Sequence, residues 1–262
     1  VNMLKWRTFP GIQATAVFAF LFLYTPVIVL VFLSFNQSDP TTIWQGFSFN
    51  GYVEIWQDPY LLRAAQNSLI VASIAMLVST LAATLAALAL RGHDFIGKSI
   101  IATLIGLPLL TPGIVIAVAT LMFFSFTGLE PSLITVIVTH IVFCIPFAYL
   151  PIQARLSRAN PYLIDAAKDL YANPWQVFWR VTWPQLMPGV TAGALLAFIT
   201  SMDDFIITYF VAGPGAKTLP IYIFETIGRS LSPKINAVST LILGVSVLFV
   251  TLAYFIGRQK QK

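Results

Sequence analysis

Six apolar stretches decide what this chain can fold into: residues 12–35, 68–90, 99–124, 133–150, 187–210 and 237–256. Each is about 18 to 26 residues long, enough at ~1.5 Å rise per residue to cross a hydrocarbon core ~30 Å thick. Lipid offers backbone amides and carbonyls no partner, so a spanning chain must be helical or a closed barrel, and unbroken apolar runs select helices. The chain of 262 residues is 58% hydrophobic and 10% charged, against roughly 25% charged in a soluble domain, which excludes a cytosolic globular protein. The expectation is an all-α membrane protein of six transmembrane helices, with residues 1–262 forming a single transmembrane domain. The first run follows Lys5 and Arg7. It is too long for a secretory signal and lacks a small-residue cleavage site, so it reads as an anchor helix.

Loop charges set the orientation, because basic residues favour the cytoplasmic side. With the N-terminus inside, that side holds Lys5, Arg7, Arg91, Lys98, Arg155, Arg158, Lys168, Arg180, Arg258, Lys260 and Lys262 against Asp94, Asp165 and Asp169, a net +8. The outer side carries Arg63, Lys217, Arg229 and Lys234 against Asp39, Glu54, Asp58, Glu130, Asp203, Asp204 and Glu225, a net −3. Both termini are therefore expected in the cytoplasm, with a mildly acidic outer face that suits a cationic solute. The basic residues form no dense patch, which excludes nucleic-acid binding. Cys144, alone in an apolar run, is a packing residue.

Two long connections lie outside. Residues 36–67 are too polar to span, and residues 212–236 open on Gly213-Pro214-Gly215 before a semi-apolar stretch, 219–227, that either dips into the membrane or lies on it. The long inside connection, residues 151–186, carries two short helices by its own signals. Asn160 and Pro161 start the first, Asn173-Pro174 end it after Leu170, and a second, with Val177, Phe178 and Val181, runs to Pro184. Small Ala166 and Ala167 on the first permit close approach by another protein; a helix lying at the lipid headgroups fits the composition equally well.

The octet Gly92-His93-Asp94-Phe95-Ile96-Gly97-Lys98-Ser99 matches the phosphate-loop pattern G-x-x-x-x-G-K-[ST]. Such a loop needs a preceding strand and a helix start whose amides converge on phosphate. Here the octet joins two membrane helices and carries bulky Phe95 and Ile96. It is a basic inside turn, and ATP hydrolysis is not expected of this polypeptide.

The inside connection reads Asp165-Ala166-Ala167, three residues, Tyr171, nine residues, Val181, one residue, Trp183-Pro184. That resembles the EAA loop, E-A-A-x3-G-x9-I-x-L-P, of permease subunits in binding-protein-dependent ABC importers. Spacing is intact; Asp replaces Glu, Val replaces Ile, Trp replaces Leu, and Tyr171 replaces the glycine of the turn. A bulky residue takes positive φ there only at a cost, so either the turn is reshaped or the partner cleft is adapted. Ser34-Phe35-Asn36, residues 44–48, Asn67-Ser68-Leu69, Ser201-Met202-Asp203-Asp204, Gly213-Pro214 and residues 232–237 extend the likeness along nearly the whole chain, to the second of the two permease subunits of spermidine/putrescine importers. The resemblance implies a type I ABC importer permease (MetI-like) architecture. It implies no cofactor bound directly, ATP and magnesium on a partner ATPase, and a bacterial inner-membrane location. Its implied partners are a homologous permease chain, an ATPase dimer gripping Asp165, Ala166, Ala167, Tyr171 and Pro184, and a soluble extracytoplasmic polyamine-binding protein.

Asp203 and Asp204 lie deep in the fifth run, where carboxylates are costly unless paired or wetted and mark a functional site by default. Polyamines are extended ammonium cations, to which a carboxylate lining the route offers charge-assisted hydrogen bonds. Consecutive helical residues point ~100° apart, so both aspartates face one route only if the helix is distorted there. The competing reading is that they brace the helix end through salt bridges to Arg229 or Lys234. Glu225 is either part of an outer gate or a solvated loop carboxylate. His140 lacks a ligand partner at metal spacing and reads as a hydrogen-bonded packing residue. Pro26, Pro108, Pro112 and Pro146 are expected to kink their spans, and Tyr209, Phe210 and Tyr222 fit an interfacial aromatic belt or a cation–π cradle. The function expected is permeation coupled to a partner's ATP hydrolysis. The alternatives are another small solute in the same importer class, or an ATP-independent carrier or channel.

Overall fold

A computed structural model describes residues 10–37, 43–91, 94–160, 162–228 and 232–259, with side chains at all of these except 10, 248–250 and 252–259. The expected roles of Lys5, Arg7, Asp39, His93, Pro161, Arg229 and the last three residues lie outside the described part. In chain order the helices are α1 (Pro10–Leu33), α2 (Asn50–Gln57), α3 (Pro59–Ala89), α4 (Lys98–Leu110), α5 (Gly113–Thr127), α6 (Leu133–Ser157), α7 (Tyr162–Asp169), α8 (Pro174–Val177), α9 (Trp183–Asp203), α10 (Ile206–Val211), α11 (Leu219–Ile227) and α12 (Pro233–Gln259). Among the described residues the only β pairing is an isolated bridge between Asn36 and Phe47. The expected spans correspond to α1, α3, the α4–α5 pair, α6, α9 with α10, and α12.

Two compact units emerge, Val1–Pro59 with Ile223–Lys262, and Tyr60–Tyr222. In the first, the chain leaving α1 is folded by one side chain. Asn36 is fully buried; its Oδ1 accepts from the amides of Gln37 and Gln45, both at 3.0 Å, and its Nδ2 donates to the Ile43 carbonyl at 2.9 Å. Around this turn Phe35 stacks on Phe47 with ring centroids 5.3 Å apart and meets Phe49 edge-on at 5.6 Å. The short α2 packs on the start of α12, with Gly51 so close to Pro233 that an added Cβ would sit 2.9 Å from its backbone. Lys234 Nζ donates to Asp58 Oδ2 at 2.8 Å.

The second unit is organised by α6 against α9. Gly189, Gly193 and Ala197 recur every fourth residue and so share one face of α9. A Cβ on Gly193 would lie 2.6 Å from the Ala148 carbonyl oxygen, and one on Gly189 2.7 Å from Arg155 Cβ. Small residues let membrane helices approach closely where hydrophobic sorting between lipid and protein cannot drive association. Buried Cys144, Ala148, Ile152, Leu186 and Ala197 form the core of this contact, which is the packing role expected of Cys144.

Three boundaries differ from expectation. Pro59 can start a helix because its missing amide is unneeded in the first turn, so α3 begins nine residues earlier than residue 68 and takes up part of the outer connection. The third run is not one helix. Thr111 precedes Pro112 and is held extended at φ −91°, ψ 129°, and α4 and α5 meet at 111° across this break. The second inside helix does not stop at Pro184. Phe178–Thr182 forms a π-helical turn, in which the Trp183 amide bonds the Phe178 carbonyl, and helix continues from Pro174 to Asp203. The wider turn accommodates a proline that cannot bond back four residues.

The tight α6–α9 contact sets a prediction. Gly193→Val is expected to destabilise the protein by about 2 kcal/mol through overpacking, read as a lower thermal midpoint in detergent. Gly106→Val, at a site with nothing within 4 Å, should leave the midpoint unchanged. Equal midpoints for the two variants would disprove the close-contact role of Gly193.

Candidate functional site

The inside connection folds into two capped helical turns joined by a tight bend. In α7, Asp165 and Lys168 lie 3.8 Å apart with both side chains mostly exposed, Ala166 is exposed and Ala167 half-buried. The helix closes with the Ala172 amide on the Ala167 carbonyl at 3.0 Å and the Tyr171 amide on the Lys168 carbonyl at 2.9 Å. These are the paired bonds of a Schellman motif, whose turn residue is left-handed. That residue is Tyr171, at φ 60° and 97% exposed. The turn is therefore not reshaped; the tyrosine adopts the conformation glycine would take, at a cost of about 1–2 kcal/mol. Two residues on, Asn173 accepts from the Gln176 amide at 2.8 Å while Gln176 Oε1 accepts from the Asn173 amide at 3.0 Å, a reciprocal cap with Pro174 in the first turn. Trp175, Trp179 and Trp183 then line one side of the helix, with ring centroids 5.5 and 5.7 Å apart in sequence. Pro184 is exposed in the first turn of α9.

Thirty residues along this continuous helix, at Asp203, the fifth span breaks. Asp204 is extended, at φ −69° and ψ 124°, and α10 begins at Ile206. The carboxylate of Asp204 accepts from the amides of Ile207 at 3.4 Å and Thr208 at 2.9 Å, and from the Thr208 hydroxyl at 3.1 Å. From α6, fully buried His140 reaches both sides of the break: Nδ1 is 2.7 Å from Ser201 Oγ and Nε2 is 2.9 Å from Thr208 Oγ1, with Asp204 Oδ2 at 3.5 Å. Asp203 points elsewhere and is exposed. Asp204 therefore braces the break through the following amides and Thr208, with His140 alongside. Lys234 bonds Asp58 instead, and Arg229 lies outside the described residues. The distortion required for two aspartates to face one route takes the form of a break that turns them apart. Glu225 is half-buried in α11.

Two of the short motifs that extend the likeness along the chain are joined in space. Asn67 Nδ2 donates to the carbonyls of Gly215 at 3.0 Å and Lys217 at 2.9 Å, and Ser68 Oγ accepts from the Leu219 amide at 2.8 Å. Thr135 Oγ1 holds the Val211 carbonyl at 2.8 Å, and an added Cβ on Gly213 would collide with the Pro131 carbonyl. The Gly213–Leu219 turn is thus fastened to α3 and to the start of α6. Among the described residues no cluster of three or more His, Cys, Asp or Glu side chains is arranged to hold a metal ion.

Residues 75–259 match the family described as the binding-protein-dependent transport system inner membrane component. The chain belongs to this family. It is 35% identical over 256 residues to the spermidine/putrescine transport system permease protein PotC of Escherichia coli (strain K12), covering 98% of this chain and 96% of that one. It is 34% identical over 250 residues to the putrescine transport system permease protein PotI of the same strain, covering 93% and 89%. The fold matches a bacterial ABC transporter involved in the import of the acidic polysaccharide alginate, with a TM-score of 0.75 at 20% identity over 96% of this chain and 95% of that one. The same is true of a bacterial alginate ABC transporter in complex with a periplasmic protein bound to alginate pentasaccharide, with a TM-score of 0.74 at 20% identity over 98% and 96%. The chain is thus an inner-membrane component of an ABC importer, a transport subunit rather than an enzyme, with the MetI-like permease architecture that its sequence implies.

The left-handed tyrosine yields a prediction. Tyr171→Gly should stabilise the bend by about 0.5–1 kcal/mol, after allowance for glycine's freedom in the unfolded chain, seen as roughly threefold slower hydrogen exchange at the Ala172 amide. Tyr171→Ala keeps the steric cost and should leave that rate unchanged; equal slowing by both would show that φ strain is not the cause.

Proposed function

We propose that this chain is a transmembrane permease subunit that imports polyamines, spermidine or putrescine, through a route lined by Asp203. The observation that carries the reading is the near-full-length likeness to spermidine/putrescine permeases, joined to an exposed carboxylate at a helix break inside an apolar span. A charged side chain at such depth faces protein or water, not lipid. An ammonium group there exchanges hydration for a charge-assisted hydrogen bond. A polyanion such as alginate would meet repulsion at the same point, so the shared fold does not carry the alginate importer's substrate with it.

In this proposal one transmembrane domain spans the chain with both termini cytoplasmic. The chain pairs with a homologous permease, docks on an ATPase dimer through Asp165, Ala166, Ala167, Tyr171 and Pro184, and receives polyamine from a soluble extracytoplasmic binding protein. It binds no cofactor; ATP and magnesium belong to the ATPase. Glu225 is assigned to the outer part of the route. ATPase closure biases a two-state equilibrium because the docking groove contacts the inside loop differently in each state. Transmission has a plain mechanical basis. The inside bend leads into helix that is continuous from Pro174 to Asp203, about 45 Å at ~1.5 Å per residue, so tilting its inner end moves the carboxylate.

Two substitutions test the reading in assembled complexes supplied with saturating loaded binding protein. Asp203→Asn is expected to lower polyamine uptake about tenfold, the effect of one lost hydrogen bond to a charge, with assembly unchanged. Normal uptake by Asp203→Asn would remove this aspartate from the route. Ala166→Asp, which puts a charge into the docking groove, should abolish ATP-driven uptake while membrane insertion is retained; undiminished uptake would overturn the docking assignment.

A further inference from the structure

We propose that His140 is a positioning residue for transport: it locks Asp204 into the backbone of the fifth-span break and so leaves Asp203 as the one carboxylate of this adjacent pair that is presented to the cation. The inference rests on the pathway reading above and deepens it.

Helix geometry does not choose between adjacent aspartates; the hydrogen bonds do. Breaking the span after Asp203 deprives the Ile207 and Thr208 amides of carbonyl partners, and Asp204 supplies both with a carboxylate. Proton counting gives the rest of the network its direction. Thr208 has one hydroxyl hydrogen, which it donates to Asp204 at 3.1 Å. Its oxygen must then accept from His140 across the 2.9 Å contact, which places a hydrogen on Nε2. The other ring nitrogen, Nδ1, lies 2.7 Å from Ser201 Oγ. The connected series Ser201, His140, Thr208, Asp204 therefore ties α6 to the segments on both sides of the break.

This arrangement explains why two neighbouring carboxylates are not equivalent. Asp204 accepts from three protein donors and its side chain is 11% exposed, whereas Asp203 is exposed. A route needs sites that hold a cation weakly enough to release it, and one available carboxylate meets that need better than two at contact distance. Without the imidazole, Thr208 and Ser201 lose their partner in a buried setting, and the carboxylate of Asp204 loses the contact that orients it.

The test measures polyamine taken up per ATP hydrolysed by the complete complex, with spermidine-loaded binding protein at saturation. His140→Leu should lower that ratio about tenfold, and His140→Gln, which retains a donor toward Thr208, should recover it to within about threefold of the parent. In the Asp203→Asn background, His140→Leu should add less than a twofold loss, because contacts acting through one group are not additive. Thr208→Val, close to threonine in volume, carries the same expectation should the His140 variant assemble poorly. An unchanged ratio in His140→Leu, or a full tenfold further loss in the Asp203→Asn background, would overturn the inference. An unchanged ratio in Asp203→Asn alone would instead overturn the pathway reading on which it rests.

Discussion

In a hydrocarbon layer every backbone amide and carbonyl released from a helix must find another partner, and this requirement accounts for the polar residues in an otherwise apolar chain. Where the fifth span breaks, Asp204 caps the freed amides of Ile207 and Thr208. Where the chain turns after α10, Thr135 and Asn67 take up the carbonyls of Val211, Gly215 and Lys217, and Ser68 receives the Leu219 amide. Where α1 ends, Asn36 closes the turn with three bonds from one side chain. Asp204, Asn67, Ser68 and Asn36 each belong to a motif that looks arbitrary on the linear sequence and becomes necessary once the break beside it is seen.

The same requirement separates what was legible in the sequence from what was not. Hydropathy marks where apolar helix lies, so the span positions and the α11 stretch at 219–227 could be read directly, and the Asn and Pro signals at Asn160 and Asn173-Pro174 marked the helices of the inside loop. Hydropathy says nothing about continuity inside a run. Thr111-Pro112 sits between apolar residues, and membrane helices often tolerate proline, so a 111° bend had no signal beyond the proline itself. Pro184 is the reverse case: a π turn preserves the helix that a proline is expected to end. Gly189, Gly193 and Ala197 did carry a signal in their four-residue spacing, one easily lost in a chain rich in small residues.

Asp203 and Asp204 show a different limit. Their depth marks them as candidates, but that one is exposed and the other held by protein donors follows from the bonds at the helix break, where His140, more than sixty residues away in sequence, meets Ser201 and Thr208. Contacts at that distance in sequence follow from which helices pack together, and here the stripe of small residues on α9 sets α6 close enough for the imidazole to reach both sides of the break. The packing contact and the functional site are therefore one construction.

A stiff inner segment joined to a broken outer one is suited to transmission. From Pro174 to Asp203 the fifth span is continuous helix, and its inner end carries a bend held by paired backbone bonds around a left-handed tyrosine. Strain of that kind persists only where the surrounding hydrogen bonds over-determine the conformation. Here the Schellman pair on one side and the Asn173–Gln176 box on the other do so. A push at the bend then has few soft coordinates to dissipate into before it reaches the break, the first place where backbone bonding gives way to side-chain bonding. In the proposed mechanism motion and substrate contact coincide at Asp203, because a helix can change direction in lipid only where a polar side chain stands ready to replace the bonds it gives up.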